Sequence, residues 1–190
     1  MADRLYLSCW VREFNESNML SHFQKLLSLF PYSQLARRGP VLRVYAVERV
    51  EPPQMEREFS KPANPAQIAQ SAREFSHADS SFEVDASWDL WQFNGDWNLS
   101  PASVTLICQG PGFEGENGDH LRIEFGPDAR FLPMEGLEGS LRMGRSNLQS
   151  LLHLVSEIEK ALPLEKRQLW SESGRNFAGV LADTLSGWVQ

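Results

Sequence analysis

The chain has 190 residues, 42% of them hydrophobic and 23% charged, which is enough apolar material for one domain over 1–190 with a full core. Its net charge of −7 argues against a general nucleic-acid binder, which would carry a basic surplus. No run approaches the roughly 20 apolar residues of a membrane helix, and no charged leader precedes an apolar stretch, so a cytoplasmic protein without a signal peptide is expected.

Residues 4–12 (RLYLSCWVR) alternate, with Leu5, Leu7, Cys9 and Val11 on one side and Tyr6, Ser8, Trp10 and Arg12 on the other. That period of two predicts a strand. In the next segment Met19, Leu20, Phe23, Leu26, Leu27 and Phe30 form a helical stripe, stopped by Pro31. Gly39-Pro40 punctuates the chain, and residues 41–50, rich in valine, predict a second strand. Together these make a β-α-β unit, whose crossover would be right-handed if the strands are parallel.

The proline-rich stretch 51–64 predicts an irregular connection, and Asn64-Pro65 opens a short helix with an N-cap and a proline at the first position. Residues 81–93 (SFEVDASWDLWQF) alternate over their whole length. Phe82, Val84, Ala86, Trp88 and Leu90 share one face, while Glu83, Asp85, Ser87, Asp89, Trp91 and Phe93 share the other. Asn94-Gly95 is a turn signal, with Trp97 beyond it and expected to pack under the loop, so the three tryptophans of SWDLWQFNGDW divide by parity. Two further strands, 103–109 and 120–126, complete a meander, and 128–133 would add a short edge segment. Beyond them Leu148, Leu151, Leu152, Val155, Ile158 and Leu162 mark a helix capped at Ser146 or Asn147. Residues 164–171 suit a short helix, and Phe177, Val180, Leu181, Thr184, Leu185 and Trp188 a final one.

The expected fold class is therefore α+β: a two-layer sandwich of about five mixed or antiparallel strands with helices mainly on one face, an N-terminal β-α-β unit and C-terminal helices. The alternative arrangement places helices on both faces.

Motifs narrow the chemistry. The segment GPGFEG (110–115) matches G-x-G-x-x-G and follows a strand, but another strand follows it where a dinucleotide site needs a helix, and its acids would repel phosphate. A long hairpin loop is expected instead. Cys9 and Cys108 lie in apolar runs and read as buried free thiols of a reducing compartment. No metal-ligand spacing, calcium loop or nucleophile elbow is present, so neither metal nor cofactor is expected; without secretion the Asn15 and Asn98 glycosylation patterns carry no weight.

What remains is a face. Glu83, Asp85 and Asp89 project together from one strand, neighbours two apart lying about 6.6 Å from each other. Trp10, Arg12, Arg43, Tyr45, Trp91, Arg122 and Glu124 share that non-core parity. Trp, Tyr and Arg dominate interface energetics, which favours a non-enzymatic interaction protein with a protein partner or a second copy. The alternative is a small-molecule binder or carboxylate-dependent enzyme centred on Asp85, Asp89 and Glu124, where paired carboxylates share a proton or hold a cation. A third class is a neutraliser of a basic partner: residues 79–139 carry twelve acids against Arg122 and Arg130, a balance of −10, while the remainder carries +3.

Overall fold

The structure, a computed structural model, describes residues 3–47, 50–115, 117–173 and 176–181. Its elements in chain order are β1 (Arg4–Val11), α1 (Met19–Leu29), β2 (Val41–Ala46), β3 (Met55–Glu58), α2 (Pro65–Ala72), β4 (Ser80–Phe93), β5 (Trp97–Gln109), β6 (Leu121–Pro127), α3 (Ser140–Ala161) and β7 (Leu164–Ser171). The seven strands form one sheet in the order β3-β2-β4-β5-β6-β1-β7, and every neighbouring pair is antiparallel. Four antiparallel steps separate β1 from β2, so these two run parallel with three strands between them. The predicted β-α-β unit exists in direction but spans the sheet, and β4-β5-β6 is the expected meander.

The alternation in the sequence decides which face is buried. Leu5, Leu7, Cys9 and Val11 of β1 join Phe82, Val84, Trp88 and Leu90 of β4 in one apolar cluster. The same cluster takes Met19, Phe23, Leu26 and Leu27 from α1, Ile68 and Ala72 from α2, and Leu151, Leu154, Val155 and Ile158 from α3. α1, α2 and α3 therefore pack on one side of the sheet. Fully buried Phe23, Phe82, Phe125 and Phe131 each stabilise this layer by about 1.5–3 kcal/mol. Cys9 and Cys108 are buried free thiols; burial pushes the Cys9 thiol up to about 12, with Asp119 adding to the effect.

Local chemistry explains the helix ends. Asn64 Oδ1 accepts from the Gln67 amide at 3.2 Å and Pro65 occupies the first turn of α2. Pro31 stops α1. Gly39 is required by a close approach: a Cβ there would lie 1.9 Å from the Phe59 carbonyl oxygen.

Several expectations are corrected. Among the described residues the sheet has seven strands and no parallel pair. β3 lies in the stretch read as irregular, and β7 replaces the short helix expected at 164–171. The Glu, Lys, Arg and Gln of β7 favour helix in isolation, but the strand lies at the sheet edge, where charged side chains are tolerated and protect against further pairing. β5 begins six residues earlier than 103, at Trp97. Asp128–Arg130 is a 3₁₀ turn, not an edge strand. α3 begins at Ser140 after Gly139, whose φ of +78° suits glycine. The stripe expected in a final helix starts as helix at Phe177, which is buried in the core; Thr184, Leu185 and Trp188 lie outside the described residues.

Candidate interaction face

With the helices on one side, the other side of the sheet is built from the polar half of each alternation. Register places Glu56, Arg43, Glu83, Ile107, Arg122, Ser8 and Gln168 in one row from β3 to β7. Glu58, Val41, Asp85, Thr105, Glu124, Tyr6 and Trp170 form the adjacent row. Directly opposed residues on neighbouring strands point to the same side. The structure thus brings Trp10, Arg43, Tyr45, Asp85, Arg122 and Glu124 onto one face.

Arg43 is the hub of its left half. Its Nε donates to Glu56 Oε2 at 2.6 Å and its Nη1 to Asp85 Oδ2, while Thr105 Oγ1 donates to Asp85 Oδ1 at 2.9 Å. Hydrogen bonds that Arg43 donates to both carboxylates, Asp85 first, raise its pKa. In the right half Trp10 lies under the Lys166 ammonium, 4.4 Å from its ring centroid, and Tyr6 stacks on Trp170 at 4.5 Å. Burial raises the Tyr6 phenol above its ordinary value, and Glu124 beside it adds to the rise.

The middle of the face is closed. Arg122 is 7% exposed and Asp119 2%; Nε and Nη2 of Arg122 donate to the two Asp119 oxygens at 2.8 Å each. Ser8 Oγ donates to Asp119 Oδ2 at 2.6 Å and accepts from Trp170 Nε1 at 3.0 Å. This chain of bonds ties the loop after β5, and the edge strand β7, to β1. Arg122 therefore acts inside the sheet rather than at its surface.

Three other candidates have local duties. Arg12 lies past the end of β1, where alternation no longer applies, and its amide donates to the Pro163 carbonyl at 2.9 Å. Asp89 accepts from Ser33 Oγ and, at 2.8 Å, from the Gln34 amide, so it caps the loop that runs beside β4. Asp85 and Glu124 flank Thr105 from opposite strands, a separation of about 10 Å at the backbone, too wide for sharing a proton.

At the far end of the β4-β5 hairpin the face turns apolar. Trp91 opposes Leu99, and Phe93 opposes Trp97 with ring centroids 5.5 Å apart. Phe93 is 43% and Leu99 44% exposed. Trp88 instead sits in the core against Phe30, Phe125 and Phe131. Two of the three tryptophans thus share the outer side. Trp97 Nε1 donates to the Glu138 carbonyl at 2.8 Å, which ties the indole to the segment just ahead of α3. Sequence alone missed Tyr6 and Trp170 as a stacked pair, because 164–171 carries no apolar alternation to mark it as a strand.

No protein-family model, curated protein or solved structure matches this chain. Among the described residues, no group of three or more His, Cys, Asp or Glu could hold a metal ion, and no helix is long and apolar enough to cross a membrane.

Proposed function

We propose that this protein is a non-enzymatic, cytoplasmic interaction protein that associates with a second copy of itself through the sheet face opposite the helices. The observation that carries this reading is the one-sided helix layer, which leaves Tyr6, Trp10, Tyr45 and Trp170 half-buried on the other side. Half-buried aromatics gain the most when a partner completes their burial. The face carries both signs, Arg43 and Lys166 among Glu56, Asp85 and Glu124, so it complements itself better than a partner of one sign. Two of the three carboxylates of the catalytic alternative are engaged, Asp85 by Arg43 and Thr105 and Asp89 by Ser33 and Gln34, and the third, Glu124, lies about 10 Å from Asp85 at the backbone.

Sedimentation equilibrium at micromolar concentration tests the reading. Wild type sediments as a dimer, and Trp10→Ala/Tyr45→Ala shifts it to monomer. Wild type and variant both running as monomer would overturn the self-association.

A further inference from the structure

A second feature lies at the border of that face. β2 pairs with β4 only from Ser80 to Asp85, whereas β4 runs on to Phe93. The chain after α1 fills part of the gap: the Ser33 amide donates to the Ser87 carbonyl at 2.7 Å, and Asp89 caps the turn. Between this segment and residues 61–63 a cleft of about 820 Å³ opens over Ala86 and Ser87. That is the size of a small-molecule site.

The cleft is preformed. The Gly39 backbone rests against the Phe59 carbonyl, and the Phe59 amide donates to the Pro40 carbonyl at 2.9 Å. Lys61 Nζ donates to the carbonyls of Gln34 at 2.9 Å and Ala36 at 2.6 Å, which joins the two walls. Its walls include Pro31, Tyr32, Pro40 and Pro62, flat and rigid surfaces with little entropy to lose. Its charged lining residues are Arg38 and Lys61, both cationic and both exposed, in a chain whose net charge is −7. The lining is cationic, with the Asp89 carboxylate behind the wall on Ser33 Oγ and the Gln34 amide. An ammonium has three protons and Lys61 spends two on the carbonyls, which leaves one for a ligand.

We propose that this cleft binds a small organic anion: an aromatic or otherwise flat apolar body lying along Pro31, Tyr32 and Pro62, with a carboxylate or phosphate held by Arg38 and Lys61. The site adjoins the sheet face, since Ser87 shares the parity of Asp85 and Arg38 also lines the surface beside Asp85 and Thr105, but its walls come from residues 31–40 and 61–63 and not from Trp10 or Tyr45.

The test is a titration of the full chain, followed by ¹H–¹⁵N correlation spectra, with phenyl phosphate, benzoate and, as the neutral counterpart, benzyl alcohol. At least one anion shifts amides of residues 32–39, 61, 63 and 86–87. Loss of a charge-assisted contact in Arg38→Gln weakens that anion about tenfold, whereas Arg145→Gln on α3 leaves it unchanged. Preference for phenyl phosphate or for benzoate identifies which acid group the site takes. Silent spectra with both anions, equal binding of benzyl alcohol, or full affinity in Arg38→Gln would each overturn the proposal.

Discussion

Asp119 and Arg122 meet through two parallel hydrogen bonds of 2.8 Å beneath the strand that carries Ser8. Both side chains are almost fully buried, so the pair holds its partners in place but is itself costly to desolvate. Asp119→Ala leaves Arg122 charged and buried, and a loss of about 3–5 kcal/mol is expected in urea unfolding. The double replacement Asp119→Leu/Arg122→Met recovers most of that loss, because the buried cation goes together with its carboxylate. Equal destabilisation of single and double variants would show that the pair's partners, not its charge, dominate.

Asn147 on α3 forms a second pin. Its side chain accepts from the Trp91 amide at 2.9 Å, donates to the Trp91 carbonyl at 2.9 Å and donates to the Arg130 carbonyl at 2.7 Å. Asn147→Ala removes partners from three backbone groups and is expected to cost about 2–3 kcal/mol. Hydrogen exchange gives the local readout: the Trp91 amide speeds up while the Leu106 amide in the centre of β5 follows only the global change.

Burial holds His22 and His120 below the ordinary histidine value, Lys25 lowering the first further while Asp119 and Glu165 partly offset the second. His120 Nδ1 accepts from the Val11 amide at 2.9 Å, and its ring stacks on Phe14 at 4.2 Å. A depressed folded-state value means that the unfolded chain binds protons first as the pH falls. The stability these rings contribute is present above about pH 6.5 and is lost on descent through it toward their lower folded values. Thermal unfolding from about pH 7 to about pH 5.5 should show Tm falling, with a shallower slope in His120→Asn, which keeps an acceptor near Nδ1 but does not titrate there. An unchanged slope in that variant would remove His120 from the account.

Gly39→Ala should destabilise by about 2–3 kcal/mol, because the added methyl meets a backbone carbonyl that no side-chain rotation can move away. Gly118→Ala, where a methyl meets nothing within 4 Å but φ is +63°, carries only the backbone strain and should cost about 1 kcal/mol. Denaturant midpoints in the reverse order would contradict the packing around Pro40 and Phe59.

The division into two faces was legible because its signal is local: a period of two fixes the side of each residue before any partner is known. Leu5, Leu7, Cys9 and Val11, and Phe82, Val84, Trp88 and Leu90, are buried as their alternation predicts; Ala86 is only partly buried, and Ser8, of the opposite parity, is buried as well. Strand count was less legible, since β3 and β7 are edge strands whose side chains meet solvent on most sides and need no apolar pattern. Register was invisible altogether. Only pairing shows that Arg43 reaches Asp85, or that Asp119, outside every strand, closes on Arg122 and Ser8. The tryptophans illustrate both limits: parity sorted Trp88 from Trp91, but the partner of Trp97 lies at Glu138, 41 residues away.

The most direct measurement is carbene footprinting of the intact chain, read residue by residue at low and at high protein concentration. In dilute solution Trp10, Tyr45 and Trp170 take up label while Trp88 stays protected, and at high concentration the first three lose label together as copies associate. Trp10, Tyr45 and Trp170 protected like Trp88 in dilute solution would mean that the face is covered, and labelling unaffected by concentration would mean that it does not join a second copy.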